Sequence, residues 1–424
     1  MNKLIGKLKD FWNKPKIFVD HFEAPEYLMR LSGTNVFDAT WYWNGTLRAK
    51  LSFVLFVTFS SCTTVFSSLS VIHPFDDDLE DRLTATMAAL CGFEVLGKSL
   101  TFILFRENFR QLKDLAIEHS REGLRGKDHF YRPIITKYEK YGRFVVIMVF
   151  VNYYMACAVL ILYPLLFGKE WMYPVNIIIP GLYPKAYPGY AINYVNISIM
   201  TFCTASTFAA FDTYLVLLCL YMSSRFELCS EYFDKIGSSK YYSSAEYIHY
   251  CSLLHAKTVE LYESMQETVE YVIGLQVYCM ATIMAANGIL TLINPWNSYY
   301  LMMISTILEA FLYCLSAEVI AFKAAEVADK IYNAKWYEID DIRTKKMLVL
   351  VMARSQQPFY LNFKGRALSL EAFTNIMSFG FKVFNTAQKK FTVDILHHHH
   401  HQHRRGVYKR HRRNISLTYA NLQG

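Results

Sequence analysis

Several ionisable residues sit inside long apolar runs, where a charge is costly and usually functional. Glu94 and Lys98 lie four residues apart in one such run. On a helix that spacing puts them on one face with the acid on the N-terminal side, the better order for an ion pair. The chemistry this suggests is mutual charge pairing, buried between helices or beside water; direct ligand contact is the second use. Asp212 and Glu309 stand in two further apolar runs and need partners that the sequence does not name. Near the C-terminus, Asn375, Ser378, Lys382 and Asn385 recur at steps of three and four, as one helix face would. Repeated around a symmetry axis, such a stripe would line a pore. Pairing of Lys382 with a carboxylate on another helix is the alternative. Four lysines on one axis would repel cations and each other, which favours a mixed assembly.

The elements that must carry these residues are membrane helices. The chain has 424 residues, 53% of them apolar and 16% aromatic, with a mean hydropathy of +0.14. The apolar residues fall in blocks of about 20, the length that spans about 30 Å of hydrocarbon. Seven segments qualify: Leu51–Ile72, Leu83–Phe105, Phe144–Phe167, Asn196–Ser224, Tyr271–Ile293, Ser298–Phe322 and a weaker Ala367–Gln388. In lipid every backbone amide must be satisfied within its segment, so helix is the economical choice. The expected fold is an all-α membrane protein with seven transmembrane helices.

Basic residues set the orientation. The first 50 residues hold eight Lys/Arg, Arg106–Arg143 ten, and Lys323–Arg366 nine. The intervening connections hold few: His73–Arg82 one beside five acids, Gly168–Val195 two, Asn294–Asn297 none. Arg225–Glu270 is equivocal, with four among eight acids. This alternation places the N-terminus in the cytoplasm. No cleavable signal peptide is expected, so the first span would direct insertion. Of the net charge of +8, six charges come from Arg404, Arg405, Lys409, Arg410, Arg412 and Arg413, with no acid after Asp394. The remaining balance calls for no nucleic-acid partner. His397–His401 resembles a purification tag, and an aberrant or genuine C-terminal appendage are the other readings of the tail. Nine cysteines contain no C-x-x-C pair and read as small buried hydrophobes rather than a disulfide framework or metal site. No cofactor is implied. The acids of His73–Arg82 could draw cations to an outer mouth, or form a solvated turn. The sequon Asn44-Gly45-Thr46 lies on the cytoplasmic side and is discounted.

Lys323–Phe363 is too charged to span, yet Ala324, Val327, Ala328, Ile331 and Tyr332 share one helical face, as do Met347, Leu348, Leu350, Val351 and Arg354. This face packs on sister subunits, on its own chain or on the membrane surface.

From Ala317 to Gln388 the motifs come in a set order. Tyr332 precedes Trp336-Tyr337, a basic amphipathic helix leads to Arg354-Ser355-Gln356-Gln357-Pro358, and Leu368-Ser369-Leu370-Glu371-Ala372-Phe373 opens the last helix, with Phe381, Val383 and Phe384 beyond. The set resembles the C-terminal signature of insect odorant receptors. The block covers about a sixth of the chain; span number, loop lengths and orientation extend the resemblance at low resolution. Gly380, Phe381 and Lys382 depart from it, because the family commonly has small hydroxyl residues there, and the departure bears on ion selectivity.

The resemblance implies an odorant-gated, non-selective cation channel in the plasma membrane of olfactory dendrites. It implies a tetramer formed with a shared co-receptor subunit, with a small volatile odorant as ligand. The implied layout is a cytoplasmic segment 1–50, six helices with the odorant pocket in 51–322, intracellular anchor helices 323–366, a pore-lining seventh helix 367–390 and a tail 391–424. Subunit contacts would involve Tyr332, Trp336, Tyr337 and Arg354. The pore would be lined by Ser378, Lys382, Asn385, Thr386 and Lys389, with the gate near Thr386 and Lys389. The pocket lies in the outer half of the membrane, where the candidates are Met87, Leu90, Cys91, Asn152, Tyr153, Tyr154, Cys157, Met200, Phe202, Cys203, Tyr300 and Ile304. Aromatic faces and methionine sulfur among them suit a small aromatic or heteroaromatic ring; ordinary helix packing is the alternative at each. A G-protein-coupled receptor would show an acid-Arg-aromatic triplet after the third span and Asn-Pro-x-x-Tyr near the last, and neither occurs. A transporter would show internal repeats, a gustatory receptor its own signature before the last helix, and an enzyme a cluster of catalytic groups; none is found in the sequence.

Overall fold

The structure, a computed structural model, describes residues 18–31, 47–72, 79–125, 129–167, 171–175, 177, 179, 181–182, 185–293 and 299–389. The Asn44–Thr46 sequon, most of the acidic run His73–Arg82, Asn294–Asn297 and the tail from residue 391 lie outside the described residues.

The described residues are almost entirely helical. The helices are α1 Phe18–Leu31, α2 Leu47–Ile72, α3 Leu79–Leu104, α4 Arg106–Arg125, α5 Tyr131–Phe167, α6 Gly189–Asp234, α7 Ala245–Ile293, α8 Tyr300–Asn333 and α9 Ile342–Ser355. A last helix, α10, covers residues 370–389. Six of these, namely α2, α3 and α5 to α8, are long and apolar enough to cross a membrane. They carry the first six spans read from the sequence, and α10 carries the weaker seventh.

Four boundaries differ from the sequence expectation. The spans placed at 144–167, 196–224, 271–293 and 298–322 are parts of helices of 37, 46, 49 and 34 residues. At 1.5 Å per residue the longest reaches about 74 Å, more than twice the hydrocarbon thickness. Charge stopped the apolar count at Arg225 and Lys323, but charge does not stop a helix. The α6 run contains no proline.

Helix α6 is the centre of the bundle and packs most extensively on α8 and α5. Ala209, Ala210, Tyr214, Leu217, Leu218, Met222, Phe226 and Phe233 are all fully buried, as expected of a helix that is apolar all round. Small α1 docks here through Phe22, whose ring meets Tyr214 edge-on at 4.9 Å. Lipid offers helices no hydrophobic drive to associate, so close packing and polar pairs carry more of the load.

Those polar pairs cluster on the long extensions. Glu227 of α6 binds Lys137 at 2.6 Å, Tyr138 at 2.8 Å and Lys323 at 3.1 Å. His119 of α4 sits between Tyr131 Oη at 2.8 Å and Ser224 Oγ at 3.2 Å. His255 of α7 meets Ser355 Oγ of α9 at 2.9 Å. Asp341 caps α9, accepting from the backbone of Arg343 and Thr344 at 3.1 and 3.2 Å, as N-cap aspartates do.

After α9 the chain forms a two-strand hairpin, Asn362–Phe363 with Arg366–Ala367. Its central residues, Lys364 and Gly365, have φ of 47° and 77°, the sign that a primed hairpin turn demands and glycine supplies at no cost. Ser369 then starts α10 by accepting from Ala372 N at 3.1 Å, while Glu318 of α8 accepts from Leu370 N at 3.2 Å. A carboxylate at that end also complements the helix dipole.

On α10, Ile376 and Gly380 are buried against the bundle, whereas Asn375, Ser378, Lys382, Thr386 and Lys389 are exposed and Asn385 is half-buried. No ion pair among the described residues includes Lys382.

Candidate ligand-binding site

Helix periodicity brings one face each of α2, α3, α5, α6 and α8 around a common cavity. Thr84, Met87, Cys91, Glu94 and Val95 line it from α3, Tyr153, Cys157 and Leu160 from α5, and Ile197, Met200, Thr204 and Phe208 from α6. Phe56, Ser60 and Thr63 close it from α2, Ile283 from α7, and Met302, Ser305, Thr306 and Glu309 from α8, with Ile177 and Tyr299 at one end. The volume is about 150 Å³. An engineered apolar cavity of about that size in another protein takes up benzene. Gly92 permits the α2–α3 approach, since a Cβ there would stand 2.3 Å from Thr64 Oγ1.

One side of the cavity is charged. Lys98, fully buried, lies 2.6 Å from Asp212 Oδ1, 3.0 Å from Glu309 Oε1 and 3.0 Å from Glu94 Oε1. Asp212 also accepts from Tyr313 Oη at 2.7 Å and from Tyr153 Oη, and Gln276 donates its amide to Glu309. Three acids and one lysine from three separate spans are thus a single cluster. The expected Glu94–Lys98 pair forms, but Asp212 holds the ammonium at the shortest distance. Behind the cluster is a small second cavity bounded by Asn152, Asp212 and Tyr313.

The cavity takes in Met87, Cys91, Tyr153, Cys157, Met200 and Cys203. It does not take in Leu90, Asn152, Tyr154, Phe202, Tyr300 or Ile304 as lining residues. The reason is helical phase. On α8 the inward face is 302, 305, 306 and 309, and Ile304 points outward, 51% exposed. Phe202 is likewise outward, 48% exposed, one step past Met200 and Thr201. Tyr154 turns to Ser206 Oγ at 3.0 Å, and Asn152 accepts from Ser305 Oγ at 3.2 Å. Sequence reasoning missed most of the other lining residues, Glu309 and Phe208 among them. The costly charge of Glu309 was the signal for one; nothing in the pattern marked the other.

At the opposite end, Arg354 pairs with Glu263 at 2.7 Å and lies 4.5 Å from the Phe359 ring centre, so its own chain engages it. Tyr332 and Tyr337 are exposed, at 70% and 61%, and Trp336 packs against the core.

Residues 78–381 match the family model described as the 7tm odorant receptor. The chain belongs to the odorant receptor family. Odorant receptor Or2 of Anopheles gambiae is 21% identical over 372 residues, covering 82% of this chain and 95% of that protein. Odorant receptor 22c of Drosophila melanogaster is 24% identical over 223 residues, covering 48% of this chain and only 54% of that protein. Among solved structures, the olfactory receptor OR5 of Machilis hrabei shares the fold, with a TM-score of 0.76 at 12% identity over 86% of this chain and 96% of that one. The same receptor solved in complex with eugenol matches with a TM-score of 0.75 at 11% identity. This odorant receptor is therefore an all-α, multi-pass membrane protein whose described helices follow the olfactory-receptor fold.

Proposed function

We propose that this odorant receptor is the odorant-binding subunit of an odorant-gated, non-selective cation channel. Its N-terminus faces the cytoplasm, and it acts in the plasma membrane of olfactory dendrites beside co-receptor subunits in a tetramer. The observation that carries this reading is the ring-sized cavity enclosed by six helices of a chain of this family. Its walls are mostly apolar, with hydroxyls on several helices and the carboxyl groups of Glu94 and Glu309, the usual make-up of a small-molecule site. The Machilis hrabei receptor was solved with eugenol, a one-ring molecule of the size class this cavity admits. The odorant is a small volatile ring compound.

The polar face of α10 supports the channel half of the proposal. Ser378, Lys382, Thr386 and Lys389 are exposed on the single chain, where lipid would be a poor solvent for them. Facing a shared aqueous axis satisfies all four. The region 323–366 serves as the intracellular anchor, offering Tyr332, Tyr337, Val349 and Leu350 as exposed surface to neighbouring subunits.

Whole-cell recording of this chain alone, the co-receptor alone, and both together tests the reading. A fast odorant-evoked cation current that requires both, and that survives block of G-protein signalling, is expected. Met87→Trp, which fills the cavity, should raise the half-maximal odorant concentration at least tenfold without reducing surface expression. A current that is unaltered by this substitution, or that depends on G proteins, would overturn the proposal.

A further inference from the structure

The connection from α9 to α10 is held by side chains of two helices that also wall the cavity. On α7, Gln266, Glu270 and Gly274 recur at steps of four, one stripe of the helix, and all three meet the hairpin. Gln266 Nε2 donates to Asn362 O at 2.7 Å, and Gln266 Oε1 accepts from Asn362 N at 3.0 Å. The side-chain amide thus pairs both ways with one backbone residue, as a residue of a neighbouring strand would. Glu270 Oε1 accepts from Lys364 N at 3.0 Å. Phe363 seats its ring on Gly274, where a Cβ would stand 2.5 Å from it. On the other side, Glu318 of α8 accepts from Tyr360 Oη at 3.3 Å and from Leu370 N, at the start of α10, at 3.2 Å.

The stripe fixes the register of the hairpin. A slip of one residue would turn its side chains to the opposite face, taking Phe363 off Gly274 and Asn362 off Gln266. The hairpin in turn sets where α10 begins, because only Leu368 and Ser369 separate its second strand from that helix. Helix α7 reaches the cavity through Ile283, and α8 through Met302, Ser305, Thr306 and Glu309. Gln266 lies about 26 Å along α7 from Ile283, so it touches no molecule in the cavity. Resting on the receptor reading above, we propose that Gln266 is a positioning residue for gating: its amide clamps the hairpin to α7, so that movement of the cavity helices is delivered to the start of α10. The clamp consists of two neutral hydrogen bonds, so it can be deleted with little change in packing.

The test separates binding from gating in the full-length receptor assembled with its co-receptor. The agonist is whichever of eugenol, benzyl alcohol and ethylbenzene evokes the largest wild-type current. Gln266→Met keeps the length of the side chain and deletes both bonds. The current evoked at low occupancy, per receptor at the cell surface, should fall about five- to thirtyfold, as the loss of two neutral hydrogen bonds allows. The agonist Kd, read by ligand-induced thermal shift, should stay within about twofold, because the clamp is remote from the cavity. Glu270→Ala, which removes one bond, should lower the current by less at the same unchanged Kd, and it decides the matter should Gln266→Met fail to assemble. Glu267→Gln, exposed and off the stripe, should move neither quantity. A current unchanged in Gln266→Met, or a Kd weakened in step with the current, overturns the inference and leaves the receptor reading standing. A wild-type receptor that answers none of the three agonists overturns both.

Discussion

Replacing Lys98 with methionine keeps the length of the side chain and deletes its charge. At an effective dielectric of about 20, each carboxylate within 3.0 Å of the ammonium attracts it by about 5–6 kcal/mol. Much of that attraction offsets the desolvation of four buried groups. What remains is set by the groups stranded when one member goes, and for a buried ion pair that loss is about 3–5 kcal/mol. Asp212 would keep two tyrosine donors, so the strain falls on Glu94 and Glu309. At about 2 °C per kcal/mol for a chain of this size, the assembled receptor should melt about 6–10 °C lower in fluorescence-detected thermal unfolding, with less protein at the cell surface. The compensating quadruple variant Lys98→Met, Glu94→Gln, Asp212→Asn, Glu309→Gln should regain most of the loss, because neutral replacement of a whole buried ion set is often well tolerated. A single variant as stable as the wild type, or a quadruple variant no better than the single, would refute the assignment of this cluster as a charge-balanced unit.

Gly92→Leu should destabilise the receptor by about 1–3 kcal/mol through overpacking against Thr64; thermal unfolding checks it, and an unchanged midpoint would show that the close approach of α2 and α3 is not required. Lys382→Ser should shift reversal potential or rectification if that exposed side chain faces the permeation path, and unchanged permeation would remove it from the pore. Burial, with Arg225 nearby, holds the His119 imidazole well below its usual range. Its folded form resists protonation, so the unfolded chain takes the proton first and stability falls as pH drops below about 6.5. His119→Gln should flatten that slope in detergent-solubilised receptor; an acid slope identical to the wild type would show that other groups set it.

Much of the fold was legible because its dominant signal is one-dimensional. A block of about 20 uncharged residues such as Leu51–Ile72 has few alternatives in lipid. The extensions of α5 to α8 were not legible from the apolar count, since Arg143, Arg225, Glu270 and Lys323 end the count without ending the helices. The site was half legible for a related reason. The sequence shows that Met87 and Cys91 share a face, and that Glu94, Lys98, Asp212 and Glu309 need partners. It does not show how six helices are rotated about their axes. Leu90, Phe202 and Ile304 were therefore grouped with the pocket when each stands one or two residues out of phase with it. Long-range pairing fixed those rotations, above all the Lys98 ammonium gripping acids on α3, α6 and α8.

The unbroken course of α6 turns the receptor into a lever. Met200 borders the cavity and Asp234 ends the helix, 34 residues later and about 50 Å away along the axis. With Asp212 as its fulcrum, held by Lys98, Tyr153 and Tyr313, a tilt of about 3° would swing the far tip by about 2 Å. That tip region carries Glu227 and its grip on Lys137 and Lys323, so on the function proposed above a molecule seated beside Met200 and this ion cluster would be joined by one rigid rod.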